Sequence, residues 1–256
     1  MLKLNTCTWI IGVATVITLF VSCKKEDVSP GVASLMVMNA ITDVNIAATN
    51  FRGDEYFDHL SRSLSLQFGQ FNTNSHRLGL IGGETKLGLY AAPDTLVTSS
   101  PVFLKTYNFP VGSMHTLFFV GTKAAVEEVL ISETYPFPGE EHTALRFINL
   151  SPDPQNVVFS VVGPATQPVS DALSYKSYSA FLPVPIQVGS PNYVVRCHDV
   201  TTNELIAELT LAGTGGDGKL TANTWLRNHF TIALVGVNGG DATFRKRLTL
   251  VSHTVN

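Results

Sequence analysis

Nine short runs along the chain are dense in Val, Ile, Leu, Phe and Thr. They read "SLMVMN", "TKLGLYA", "HTLFFVG", "ALRFIN", "NVVFSVV", "NYVVRCH", "ELIAELTL", "FTIALVGV" and "RLTLVS". Between them fall turn-forming clusters such as "GGE", "APD", "GTGGDG" and "NGGD". Apolar runs of this length, bounded by Gly, Pro, Asn and Asp, predict β-strands, and many of them in succession predict a sandwich or barrel. Leu145, Phe147 and Asn149 alternate with Arg146, Ile148 and Leu150, so both faces of that strand are largely apolar, as expected beside a sandwich core. Helical periodicity is scarce. Gly53–Leu64, "GDEYFDHLSRSL", is the best short helix candidate, and "TKAAVEEVL" predicts a turn entering a strand.

The strand pattern repeats. "ASLMVMN" from Ala33 aligns with "TALRFIN" from Thr143, an offset of 110 that also carries Asp43 onto Asp153. "LQFGQF" from Leu66 resembles "LSYKSY" from Leu173, with two aromatics three apart in each. "TLFFVG" from Thr116 aligns with "TIALVG" from Thr231, an offset of 115. Three matches in the same order at nearly constant offset imply a duplication. The boundary falls in "ETYPFPGEEH", where Pro136 and Pro138 predict an extended, stiff connector. The expected fold class is therefore all-β: two tandem Ig-like antiparallel β-sandwich domains, residues 33–135 and 142–256, joined by a Pro-rich linker at 136–141.

Composition supports this reading. Charged residues make up only 14% of the chain, and 20 glycines and 13 prolines suit many turns better than long helices. The net charge of −3 offers no basic face, so a nucleic-acid partner is not expected. The N-terminus changes the picture more. Lys3 precedes an uncharged stretch from Trp9 to Val21, thirteen residues long, short of the roughly 20 needed to span a bilayer. It suits the apolar region of a secretory signal. "FVSC", Phe20 to Cys23, resembles a bacterial lipobox, with Phe20 in place of the usual Leu. That resemblance implies removal of residues 1–22, acylation of Cys23, and a lipidated tether over 23–32. Lys24, Lys25, Glu26 and Asp27 resemble the charged export tag of surface lipoproteins in Bacteroidetes, implying outer-membrane anchorage at the cell surface, the periplasmic face being the alternative.

With Cys7 in the signal and Cys23 acylated, Cys197 stands alone, so no disulfide framework is expected. His198 is adjacent to it, but neighbours on a strand point to opposite faces, which disfavours a Cys–His pair.

In the second half, "LRFINLSPDPQNVVFSV", "LSYKSYSAFLPVP" and "GSPNYVVR" follow one another. This order resembles the bacterial domain-of-unknown-function family numbered 4397, seen in tandem in Bacteroidetes lipoproteins. The resemblance implies an Ig-like sandwich and supplies no activity. The residues explain themselves as well: in Ser151-Pro152-Asp153, Pro presets φ and Asp can bond its own backbone, which is turn chemistry.

Signatures of catalysis are weak. Gly213, Gly218 and Lys219 match a phosphate-loop spacing, but Leu220 stands where Ser or Thr would hold magnesium, and no helix pattern follows. Asp54, Glu55, Asp58 and His59 would share helix faces, yet no second cluster at diagnostic metal spacing accompanies them. No G-x-S-x-G occurs. His115 and His229 both precede matching strands, which predicts a shared structural role. Phe51, Tyr56, Phe57, Tyr135 and Phe137 are candidates for a sugar platform, or for covering the core edge. Asp94-Thr95-Leu96 resembles a Bacteroidetes O-glycosylation acceptor, which makes Thr95 a candidate modification site. The expectation is a non-enzymatic envelope lipoprotein with no cofactor and no catalytic or metal residues. Its partners would be membrane lipid through Cys23 and a glycan or envelope protein. The alternatives are a pilus- or adhesin-type subunit assembled by exchange of a strand such as Arg247–Val255, and a glycan-active hydrolase.

Overall fold

The computed structural model describes residues 30–55, 63–71, 77–96, 98–153, 155–164, 169–216 and 223–253. Among these there is no helix. The first half contains β1 (Val32–Asn39), β2 (Ile46–Asn50), β3 (Leu64–Gln67), β4 (Gln70–Phe71), β5 (Leu78–Ile81), β6 (Gly83–Ala91), β7 (Phe103–Phe109), β8 (Met114–Thr122) and β9 (Ala125–Ser132). The second contains β10 (His142–Asn149), β11 (Val157–Val162), β12 (Leu182–Pro185), β13 (Tyr193–Asp199), β14 (Leu205–Leu211), β15 (His229–Val235) and β16 (Arg247–Ser252). All nine runs predicted from the apolar pattern are strands.

These strands form four sheets. In the first half β3-β2-β6-β7 is one sheet, and β4-β1-β8-β9, with β5 also on β1, is the other. In the second half the sheets are β12-β10-β15-β16 and β11-β13-β14. Each half has its own core. Leu35, Val37, Leu117 and Phe119 pack against Ala47, Leu87 and Leu89 in the first, and Leu145, Phe147, Ile232 and Leu234 against Phe159, Tyr193 and Val195 in the second.

A third core lies between the halves. It is built from the alternate positions of the same strands: Met36, Met38, Phe118 and Val120 from one half, and Ile148, Ala233, Val235 and Val251 from the other. The order is thus outer sheet, inner sheet, inner sheet, outer sheet. Successive side chains on a strand point to opposite faces, so strands in the two inner sheets must be apolar on both. That is why β8 and β15 are buried along nearly their whole length.

The two halves repeat in detail. Sandwich strands usually pair antiparallel, but here β1 runs parallel to β8, with Met38 opposite Phe118. Likewise β10 runs parallel to β15, with Ile148 opposite Ala233. These are the residues related by the offsets of 110 and 115. Asn39 Nδ2 donates to the Leu66 carbonyl at 3.3 Å, and Asn149 Nδ2 to the Leu173 carbonyl at 3.2 Å. The Asp43 carboxylate accepts from the Lys123 amide at 2.6 Å, and Asp153 from the Asn238 amide at 2.8 Å. Gly121 and Gly236 sit at φ 85° and 91°, and a Cβ on either would run into a carbonyl oxygen, of Ala125 or of Arg245.

Contacts across the middle are reciprocal. Arg247 on β16 donates to the Phe68 carbonyl at 3.0 Å and lies over the Phe68 ring. Its counterpart on β9, Glu127, pairs with Lys176 and accepts from Tyr175 Oη at 3.3 Å. Phe68 and Tyr175 are themselves matching aromatics of the repeat. Equivalent patches meeting one another reciprocally are the mark of a two-fold interface. Here that interface lies inside one chain.

The connector is tied down as well as stiff. His229 Nε2 lies 2.8 Å from the Pro136 carbonyl, and the Ile186 amide donates to the Glu141 carbonyl at 2.8 Å. Phe118 is fully buried in the middle layer, and truncating such a ring costs about 3–5 kcal/mol. Phe118→Ala is therefore expected to lower the urea midpoint of the second half too. Trp225, in the second core, reports that transition by fluorescence. An unchanged Trp225 transition would mean that the halves unfold independently.

Candidate functional site

The fully buried polar side chains of the middle layer gather at one end. There Arg146, on β10, projects from the face opposite Leu145 and Phe147 into the seam between the inner sheets. Its Nη1 and Nη2 donate to Glu133 Oε2 and Oε1, both at 2.8 Å, and the two side chains are 4% and 0% exposed. Arg146 Nε donates to Thr231 Oγ1 at 3.0 Å, and Thr116 Oγ1 donates to Glu133 Oε1 at 2.5 Å. Thr231 Oγ1 thus has its own proton left for His253 Nε2, 2.7 Å away. That assigns the proton of the imidazole to Nδ1, which faces Tyr135 Oη at 3.2 Å. Tyr135 Oη in turn accepts from Arg77.

The repeat explains the plan. Thr116 and Thr231 are equivalent positions. Glu133 and His253 are equivalent too: their amides donate to the carbonyls of Met114 and His229 at 2.8 and 2.9 Å. Met36 occupies the position of Arg146. At these equivalent positions one half supplies Glu133 and the other Arg146 and His253. Like halves meeting each other would bury two carboxylates, or two cations, face to face. The pairing of unlike halves sets Arg146 against Glu133 instead.

Electrostatics follow the burial. Desolvation first, then Arg146, Arg77 and His229, hold the His253 pKa well below its ordinary 6.5. Burial, with Glu133 adding to it, raises the Tyr135 phenol. Burial also lowers His229.

A cleft of about 220 Å³ opens beside this network, where edge strand β9 faces residues 178–181. Ser132, Thr134, Pro136, Tyr178, Ser179 and Phe181 line it, with Glu133 and Arg146 at its back. The Arg146 guanidinium lies 4.5 Å from the centre of the Phe181 ring and 5.9 Å from that of Tyr178. Tyr178 is 46% exposed. The volume is below the ~300 Å³ of an enclosing small-molecule pocket, so the cleft suits one ring laid on an aromatic face. A second cleft, about 210 Å³ and mostly polar, lies among Gln155, Asp199, Glu204, Asn238 and Lys246. Lys246 pairs with Asp153 at 2.7 Å, and Asp199 accepts from the Thr201 and Thr202 amides, which lower its pKa. Among the described residues no group of three or more His, Cys, Asp or Glu is placed to hold a metal ion.

The residues singled out in the sequence scatter. Cys23, Lys24, Lys25, Glu26 and Asp27 lie outside the described residues, as do Tyr56, Phe57, Asp58, His59, Gly218, Lys219 and Leu220. Asp54 pairs with Lys86. Thr95 is half-buried in the loop after β6, with its hydroxyl 3.5 Å from the Pro93 carbonyl. Phe51 packs on the first core, Tyr135 belongs to the polar network, and Phe137 is exposed. Cys197 is fully buried at a β-bulge, and burial pushes its thiol up to about 12, the opposite of nucleophile activation.

The expected shared role of His115 and His229 is corrected. The offset of 115 places His115 on Phe230, one residue from His229, and one residue reverses the face. His115 lies 5.1 Å from the Phe109 ring at the first core, whereas His229 faces Tyr135 in the seam. Glu133 and Arg146 carried a signal that sequence reading passed over. A charge in the middle of "ALRFIN", apolar on both faces, needs a buried partner.

Removing one member of a buried ion pair typically costs about 3–5 kcal/mol, because the other is left uncompensated. Arg146→Met, which installs the residue of the equivalent position, is expected to destabilise by that much in urea unfolding, and Glu133→Leu added to it to restore most of the loss. A second expectation concerns acid. His253 has a depressed pKa when folded, so its stabilising contribution is complete above pH 6.5 and falls away as pH drops below it. The thermal midpoint should decline from pH 7 to 5, with a smaller slope in His253→Asn.

No family model and no curated protein matches this chain. Among solved structures it is similar to a candidate polysaccharide-binding protein from Bacteroides thetaiotaomicron, of domain-of-unknown-function family 1812, at 9% identity over 88% of this chain and 98% of that one, with a TM-score of 0.27. It is similar to a candidate adhesin from Bacteroides ovatus at 11% identity over 85% and 92%, TM-score 0.26. A candidate cell adhesion protein from Bacteroides ovatus aligns at 8% identity over 89% and 99%, TM-score 0.23.

Proposed function

We propose that this protein is a lipid-anchored cell-envelope protein that binds a ligand rather than transforming one, and that the seam cleft takes a sugar ring of an envelope or surface glycan. The observation that carries this reading is the wall of that cleft: a half-exposed Tyr178 ring, backed by Arg146, beside the exposed hydroxyls of Ser132 and Thr134. An aromatic face with hydroxyls at its rim suits a neutral sugar, apolar on its C–H face and polar at its edge. The charged groups at the back neutralise each other, so neither is committed to acid–base work. Resemblance to the family numbered 4397 belongs to the same proposal, on the strength of the second-half motifs alone.

Strand exchange is less favoured by the geometry. Most of the candidate donor stretch is β16, which pairs with β15 at six positions and is held by Arg247 and by Thr249, whose Oγ1 donates to the Gly69 carbonyl at 2.9 Å. Releasing it would open the seam.

Purified chain and its Tyr178→Ala variant would be titrated with surface polysaccharide extracted from the producing cells. Loss of a ring platform of this kind is worth ~0.5–1.5 kcal/mol beyond area, so binding should weaken about threefold to tenfold with the fold intact by circular dichroism. Equal binding by both would sink the cleft as the site. Display is tested by protease treatment of intact cells. Wild type is expected to be shaved, and a chain with Lys24-Lys25-Glu26-Asp27 changed to alanines to be protected.

A further inference from the structure

The ends of the folded body differ. β1 and β10 start at the same end, because β9 closes at the start of β8 and the connector then leads to the start of β10. At that end the halves share a turn. Gly112, at φ 78°, donates from its amide to the Val32 carbonyl at 2.8 Å, and its counterpart Arg227, at φ 63°, donates to the His142 carbonyl at 2.7 Å. The residue before each is apolar. In the second half it is Leu226, 6% exposed within the core. In the first it is Val111, 65% exposed.

Val111 has company. Val32 is 59% exposed, and Ile81, its register partner across β1 and β5, is 65% exposed. Val111 lies against Gly82, next in sequence to Ile81. The segments that carry these residues, Val32–Met36, Gly79–Gly83 and Phe109–Ser113, contain no charged residue. Phe137, in the connector at the same end, is also exposed. An apolar patch of this kind can enter a lipid interface while the charges that border it, Glu84 after Gly83 and the exposed Arg227–Glu140 pair of the second half, stay at headgroup level.

We infer that this tip rests on the bilayer: Val32, Ile81 and Val111 contact lipid when the chain is held at its N-terminus. The inference rests on the reading of Cys23 as an anchor. Only eight residues lie between Cys23 and Val32, a span of at most ~30 Å when fully extended. The tip is therefore the part of the folded body joined most directly to the membrane. The loop end, with the Asp43, Asp153 and Asp199 carboxylates, points the other way.

The test uses the chain from residue 23 onward, held on vesicles of phosphatidylethanolamine and phosphatidylglycerol in two ways: by its own acyl chains, or by a hexahistidine tag in place of Cys23 on chelating lipid. A nitrobenzoxadiazole probe is placed at Val111→Cys, at Ile81→Cys, or at Leu205→Cys on the opposite end. Cys197 is buried and escapes labelling. Probes at 111 and 81 should shift to the blue and be quenched by brominated lipid, while the probe at 205 stays as in water. Ile81→Asp should abolish the shift at 111. Unshifted emission at 111 and 81 on chelating vesicles overturns the inference. So does a shift that needs no vesicles and grows with protein concentration, which assigns the patch to a second copy of this chain. The mass of the native chain reads the anchor separately. An unacylated chain whose tagged form docks would remove Cys23 as the anchor and leave the lipid affinity of the tip standing.

Discussion

Burial of both faces of the inner sheets is the constraint from which the rest of this structure follows. An ordinary sandwich strand needs one apolar face. Here β1, β8, β10 and β15 have none to spare for water, since the side turned away from each half's own core meets the other half. Any polar atom in that seam must find its partner in the protein. Arg146 finds Glu133 across it, and the threonines and His253 satisfy what remains. Such a pair is not by itself a gain in stability, since well-packed apolar groups of similar volume often serve equally well.

Duplication supplies the shape of that seam, and divergence supplies its specificity. The two halves keep the same asparagine bonds, the same glycine turns and the same parallel strand pairs. Backbone geometry is thus nearly conserved between them while side chains on the seam are not. Met36 and Glu133 on one side answer Arg146 and His253 on the other. The cleft arises from the same divergence, because Tyr178 and Phe181 stack around a guanidinium that has no counterpart in the first half.

Much of this was legible in the amino-acid pattern. Long central strands declare themselves through density of Val, Ile, Leu and Phe, and the offsets of 110 and 115 carry the β1–β8 pairing onto the β10–β15 pairing. Short edge strands such as β3, β4 and β5 were not seen, because two to four residues carry no period. The site was the hardest to read. Glu133 stands in a proline-rich stretch that reads as linker, and its partner lies in a strand whose apolar character hides one arginine. Periodicity says that both faces of "ALRFIN" are covered, yet it cannot name what covers them. The misplaced histidine pair shows the limit from the other direction: an alignment loose by one residue is harmless in a loop and reverses inside from outside in a strand.

The entry of the chain into β1 has a mechanical consequence. Val32 begins a strand flanked by β5 on one side and β8 on the other, with backbone bonds along both edges. A pull on the chain ahead of Val32, directed away from the body, runs along the strand rather than across it. The bonds on both edges are then loaded together, in shear, instead of parting one after another as a zipper would. Rupture under force is governed by the unfolding barrier rather than by equilibrium stability. A chain tethered at that point and loaded through the seam would hold for as long as its inner sheets slide as one.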